Sequence, residues 1–104
     1  MPDDAMAKAQ LPTPLPAIVH DQAARRFIIV VHGVEAELDY LLGEHAITIT
    51  HTGVPPAIGG RGVAGALVHA AVEFARGAGL KVVPACTYAE AWMRRHPEHA
   101  DLRA

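Results

Sequence analysis

The sequence contains a single cysteine, so no internal disulfide can form. That count fits a reducing compartment. It lacks an excess of basic residues, since 9 Lys and Arg against 11 Asp and Glu give a formal net charge of −2. A sequence-independent nucleic-acid binder needs a basic footprint, and none is present. No run approaches the ~18 consecutive apolar residues of a membrane span. The first residues lack the order of a secretory signal, because Asp3 and Asp4 precede any basic residue and no apolar stretch follows Met6. The length of 104 residues leaves no room for a second domain, a complete dinucleotide-linked dehydrogenase or a barrel enzyme. These absences set an expectation: a soluble, cytoplasmic, single-domain protein with neither nucleic acid nor membrane as partner.

What is present is enough for a core, with 51% hydrophobic and 19% charged residues. Residues 1–17 carry Pro2, Pro12, Pro14 and Pro16, which remove backbone donors and favour extended geometry. They read as a flexible tail ahead of a domain over residues 18–104. Arg26 to His32 is β-branched and aromatic and reads as a strand. Val34 to Leu42 alternates, with Ala36, Leu38 and Tyr40 on one face and Glu35, Glu37 and Asp39 on the other. His32-Gly33 joins the two as a hairpin. Ala46 to Thr52 is a third strand, which completes an antiparallel meander.

Gly53 to Gly62 is a loop by composition. An Ala-rich helix follows from Val63 to about Arg76, stopped by Gly77 and Gly79. Leu80 to Pro84 is a short strand, expected to run parallel to the third because a helical crossover connects them. Thr87-Tyr88-Ala89-Glu90 has the form of a capping box, so a second helix should start there, with Tyr88, Ala91 and Trp92 as its apolar stripe. Pro97 limits that helix. The expected class is α/β: a mixed, mainly antiparallel sheet of four or more strands with two helices.

Gly60-Arg61-Gly62-Val63-Ala64-Gly65 matches the letters of a dinucleotide fingerprint. The context does not match: Gly53 to Gly59, with two prolines, separates strand from motif, and no acid follows the next strand. The Gly-Lys-Ser/Thr of a Walker loop is also missing. The physics of the segment is independent of those labels. A glycine-rich loop opens a helix whose first N–H groups have no intrahelical partner, and Arg61 adds positive charge. That is an anion site of the kind phosphates occupy, or else an ordinary glycine-rich helix start.

Four segments together resemble the compact, single-domain branch of the GNAT superfamily of N-acetyltransferases. They are Ile49-Thr50-His51-Thr52-Gly53-Val54-Pro55, Gly60-Arg61-Gly62-Val63-Ala64, Val82-Val83-Pro84-Ala85-Cys86-Thr87-Tyr88 and His96-Pro97-Glu98-His99-Ala100-Asp101-Leu102. The resemblance implies acetyl-CoA as co-substrate, with its pyrophosphate on the helix-start amides and its pantetheine between splayed third and fourth strands. Cofactor contacts are then expected from Thr52, Val54, Gly59, Gly60, Arg61, Gly62, Val63 and Ala64. In the superfamily pattern Arg/Gln-x-x-Gly-x-Gly/Ala, Gly62 and Ala64 match the last two places. Gly59 stands where Arg or Gln is usual, and Arg61 lies inside the pattern.

Three residues could serve the chemistry. His51 titrates near neutrality and suits a base for an amine or thiol; a regular strand would put it on the face of Ile47 and Ile49. Taken alone it reads as a histidine at the edge of the core. Cys86 precedes a helix start, where a thiol can act as a nucleophile; otherwise it is a small buried hydrophobe. Both lie near the C-terminal ends of neighbouring strands and could meet. The resemblance implies that Tyr88 could protonate the departing CoA thiolate, as a tyrosine does in many members of the superfamily; otherwise it is a core aromatic on the helix stripe. Direct attack by an amine and an acetyl-cysteine intermediate both remain open, as does the acceptor, on a protein or a small molecule. A non-catalytic CoA-binding or protein-interaction module with the same fold is the alternative. The seven histidines are scattered, and His96-x-x-His99 spans Pro97 with no cysteine nearby. A zinc site needs about three or four converging ligands, so no metal is expected.

Overall fold

The computed structural model describes residues 14–104. Most of the expected proline-rich tail, residues 1–13, lies outside the described residues. Within them, Leu15 and Ile18 already pack against the core.

Alternation builds the sheet. β1 (Val19–Asp21), β2 (Arg26–Val31), β3 (Val34–Leu42) and β4 (Ala46–Gly53) form an antiparallel meander in chain order. The short β1, which the sequence reading did not contain, pairs His20 with Phe27. The β2–β3 hairpin turns on His32 and Gly33 at φ 50° and 76°, the two left-handed residues of a type I′ turn whose twist suits the strands. Phe27, Ile29 and Val31 of β2, Ala36, Leu38 and Tyr40 of β3, and Ile47 and Ile49 of β4 are all buried. The opposite face carries Arg26, Glu35, Glu37 and Asp39, with Arg26 Nε 2.7 Å from Asp39 Oδ1.

α1 (Val63–Ala78) buries Leu67, Val68, Ala71, Val72 and Ala75. It packs on β2, β3, β4 and β5 (Lys81–Pro84). Each fully buried Leu, Ile or Val on these faces contributes about 1.5–3 kcal/mol. α1 runs two residues past Arg76, through Gly77. It ends where Gly79, at φ 73°, lets its own N–H reach Arg76 O and the Leu80 N–H reach Ala75 O at 2.8 Å. That is a Schellman C-terminus. The chain then enters β5, parallel to β4 as the crossover rule requires.

α2 (Thr87–Arg95) does not begin with the expected capping box. Its N-cap is Cys86, whose Sγ accepts the Ala89 N–H at 3.3 Å. Cys86 takes this position because its own N–H and that of Ala85 both bond to Ile49 O, at 3.1 and 3.0 Å, and hold it extended. Glu90 therefore turns away from the cap toward Arg94 and Arg103. The buried stripe is Ala89, Trp92 and Met93, with Tyr88 and Ala91 at its margins. After His96 a 3₁₀ segment (Pro97–Leu102) folds back and buries His99 and Leu102, and the Ala104 N–H bonds to Val82 O.

Candidate active site

β4 contains a bulge. Asp39 pairs with His51 while Tyr40 pairs with Ile49, so Thr50 is an extra residue, and its Oγ1 bonds to Asp39 O at 3.2 Å. A bulge resets the alternation that follows it. Beyond Thr50, His51 turns to the outer face, where its Nε2 lies 3.5 Å from Glu37 Oε2. His51 thus leaves the face of Ile47 and Ile49, contrary to the regular-strand expectation. Thr52 turns inward instead, and its Oγ1 sits 3.5 Å from Cys86 Sγ. A Cβ on Gly53 would stand 2.9 Å from His51 Nε2 and 3.1 Å from Glu37 Oε2. The glycine therefore makes room for the Glu37–His51 pair.

The ladder between β4 and β5 stops early. Its last partners are Ile49 and Pro84, after which the Ala85 and Cys86 N–H groups share Ile49 O. β4 continues to Gly53 while the chain on the β5 side turns into α2. The pairing therefore ends at Ile49, and Cys86 stands where the two chains part.

The loop that follows β4 is pinned by buried Ile58 in a 3₁₀ turn (Pro56–Ile58), closed by Gly59 N–H to Pro56 O at 3.1 Å. Gly59, Gly60, Arg61 and Gly62 are exposed, whereas Val63 is buried and Val54 and Ala64 are partly so. Gly60 and Gly62 have φ of 73° and 78°, values that cost a Cβ-bearing residue about 1–2 kcal/mol. Gly62 is the N-cap of α1, with no side-chain cap and no acidic residue in the first turn. The first helical bond runs from Ala66 N–H to Gly62 O. Three amides, of Val63, Ala64 and Gly65, therefore lack an intrahelical acceptor. They offer donors to an anion at the positive end of a 16-residue helix.

Tyr88 joins this end of α1. A Cβ on Gly65 would lie 3.3 Å from Tyr88 Oη and 3.4 Å from Trp92 Nε1. Gly65 thus allows α2 to set both aromatic groups against the first turn of α1. The structure brings Thr52 and Cys86 together, and places Tyr88 beside the start of α1. No hydrogen bond among the described residues links His51 to Cys86. Glu37 and Gly65 were missed as site residues. Glu37 sat on the expected outer face of β3, but only the bulge puts His51 beside it.

The GCN5-related N-acetyl-transferase family matches the chain over residues 26–102, which include β2 to β5, both helices and the 3₁₀ segment. The chain belongs to that family. Protein NATD1 of Homo sapiens is 30% identical over 83 residues, covering 77% of this chain and 74% of the human protein. Its Xenopus tropicalis namesake is also 30% identical, over 77% of this chain and 76% of its own length. An NMR solution structure of a GCN5-like protein from Staphylococcus aureus superimposes with a TM-score of 0.68. It shares 29% identity and covers 88% of this chain and 91% of that one. The GCN5-related fold is thus present as a five-stranded sheet with α1 and α2. No helix among the described residues is long and apolar enough to cross a membrane.

Proposed function

We propose that this GCN5-related domain binds acetyl-CoA and transfers its acetyl group to an amine. The observation that carries the reading is the coincidence of three features at one end of the sheet. β4 and β5 part at Ile49, Cys86 stands at the parting, and the uncapped start of α1 follows the same loop. The amides of Val63, Ala64 and Gly65 would take the pyrophosphate, with Gly59 to Gly62 letting it approach the backbone and Arg61 adding charge. The arm would run past Val54 and Thr52, leaving the thioester near Cys86.

Two routes fit this placement. In the first, Cys86 Sγ attacks the thioester carbonyl, giving acetyl-Cys86 and CoA thiolate. The thiol proton passes to that sulfur, with Thr52 Oγ1 at 3.5 Å from Cys86 Sγ as the adjacent hydroxyl and Tyr88 Oη, beside Gly65, as the candidate donor to the departing CoA. An amine then attacks acetyl-Cys86, loses a proton and regenerates the thiol. In the second, the amine attacks acetyl-CoA directly. In both, His51, oriented by Glu37, receives the amine proton and releases it to solvent, from which the departing thiolate, of Cys86 or of CoA, is protonated, and the product is an amide. The histidine acts on the acceptor side of β4 and the thiol on the cofactor side.

Titration calorimetry with acetyl-CoA, with CoA and ATP as controls, tests the ligand. Saturable binding of acetyl-CoA without ATP binding is the expected result, and no acetyl-CoA binding by folded protein refutes the reading. Mass spectrometry of the Cys86 peptide after exposure to acetyl-CoA then separates the routes. An acetyl adduct supports the intermediate, whereas turnover in Cys86→Ser assigns direct transfer. Binding without turnover on any amine leaves the non-catalytic CoA-binding module.

A further inference from the structure

We propose that His69, Glu73 and His99 form a site for one divalent cation of the zinc class, away from the acetyl-transfer residues. His69 and Glu73 are four apart on α1, so they share a face one turn apart, with His69 Nε2 3.7 Å from Glu73 Oε2. His99 reaches them from the 3₁₀ segment after α2, and one ligand atom from each of the three lies within 4.8 Å of the others. Donors on one tetrahedral zinc stand about 3.3 Å apart, given bonds of ~2.0–2.2 Å. Side-chain movements of about 1 Å bring these groups to that spacing. Two imidazoles and a carboxylate are a borderline donor set that suits zinc, and water would complete the fourth position.

The surroundings decide which groups take part. The His99 ring is held firmly, with only 9% of the residue exposed. The side chains of His69 and Glu73 are 56% and 49% exposed, which leaves an entry path. His96 is not among the three converging groups; its Nδ1 meets Trp92 O at 2.7 Å and its ring stacks on Trp92 at 3.8 Å. Arg76 limits the affinity. Its Nη2 lies 3.2 Å from His99 Nδ1. A guanidinium can only donate, so Nδ1 accepts and Nε2 carries the ring proton. Metal uptake has to displace that contact, either by ligation at Nδ1 or by moving the proton there to free Nε2. Asp101, at 3.0 Å from Nη1 and 3.2 Å from Nη2, already holds Arg76 from the other side and can keep it. The affinity is then expected to fall below that of a preformed four-ligand site. A bound ion would tie the 3₁₀ segment to α1, and with it the C-terminal residues that brace β5 through Val82.

Trp92, the single tryptophan of the chain, is the reporter. Its ring centroid lies 5.6 Å from that of His99 and 6.2 Å from that of His69. The full chain is titrated with Zn²⁺ by calorimetry and by Trp92 fluorescence, for the wild type and for His69→Ala, Glu73→Gln and His45→Ala. His69 and Glu73 are exposed enough for these variants to fold, and His45 is a distant control with its side chain 93% exposed. The proposal expects one Zn²⁺ per chain, a fluorescence change that saturates with it, and affinity at least about tenfold weaker in each ligand variant. His45→Ala should match the wild type. A dissociation constant above about 1 mM in the wild type, or undiminished affinity in either ligand variant, overturns the site.

Discussion

Replacing Cys86 separates what its sulfur does for the fold from what it does for chemistry. As N-cap of α2 it accepts the Ala89 N–H at 3.3 Å, one of the amides that the helix itself cannot satisfy. Cys86→Ala removes the acceptor. Loss of an oxygen cap costs about 0.5–2 kcal/mol, and a thiol is a weaker acceptor, so about 0.5–1 kcal/mol is expected here. For a domain of this size that lowers Tm by roughly 2–8 °C. The loss reaches the core because the first turn of α2 contains Ala89, which is fully buried. Cys86→Ser supplies a better cap and keeps a partner for Thr52 Oγ1, so its stability should fall within about 0.5 kcal/mol of the wild type. Urea unfolding followed by Trp92 fluorescence compares the three proteins. If serine destabilises as much as alanine, the sulfur acts as apolar filling and not as a cap. If serine restores stability, any loss of acetyl uptake in that variant is chemical, since the fold is intact.

Two further outcomes test the packing and the electrostatics. Leu38→Ala removes a side chain with no exposure at the centre of the sheet and should cost about 2–5 kcal/mol. Leu41→Ala, on the same strand but 64% exposed, should cost about 0.5 kcal/mol or less; equal urea midpoints for the two would refute the assignment of faces. His20 stacks on Phe27 at 4.0 Å and meets Tyr40 Oη at 2.6 Å, and its burial pushes its pKa below the usual 6.5 against the opposing pull of Asp21. The unfolded chain then takes up this proton first, so the stability His20 contributes is present above 6.5 and lost as pH falls through the folded value. Thermal unfolding between about pH 7.5 and 5 should show a steeper acid decline for the wild type than for His20→Phe. Superimposable profiles would show that β1 docking is insensitive to this proton.

The parts of the fold that were legible in the sequence are those carried by local pattern. The alternation from Val34 to Leu42 fixes the core face of β3, and His32-Gly33 fixes the hairpin. Gly79 ends α1, and the crossover sets β5 parallel to β4. What was hidden depends on contacts between distant segments. β1 has only three residues and no buried apolar one; it is recognised through His20 packing on Phe27, Tyr40 and Phe74. Thr87 to Glu90 satisfies the letters of a capping box. Cys86 takes the cap because Ile49, on another strand, holds its N–H. His69 and His99 meet only because the 3₁₀ segment returns to α1. Ala46 to Thr52 shows an unbroken β-branched run, so nothing local marks Thr50 as the extra residue. Its place is set by Asp39 and Tyr40 across the ladder.

That one residue decides which side chain of β4 faces Cys86. In a regular strand His51 would share the inner side with Ile47 and Ile49, facing the sulfur of Cys86 as one unit of base and nucleophile. With the bulge, the inner side receives Thr52, and a hydroxyl approaches the sulfur at 3.5 Å. The imidazole goes to the opposite side and gains the carboxylate of Glu37 at 3.5 Å. A base that accepts a proton from an incoming amine has no need to touch the thiol. It needs to come within hydrogen-bond reach of the attacking nitrogen, directly or through one water, with an acid residue to stabilise the imidazolium that forms. The bulge therefore divides two neighbouring side chains between the two faces of a single strand, His51 beside Glu37 and Thr52 beside Cys86.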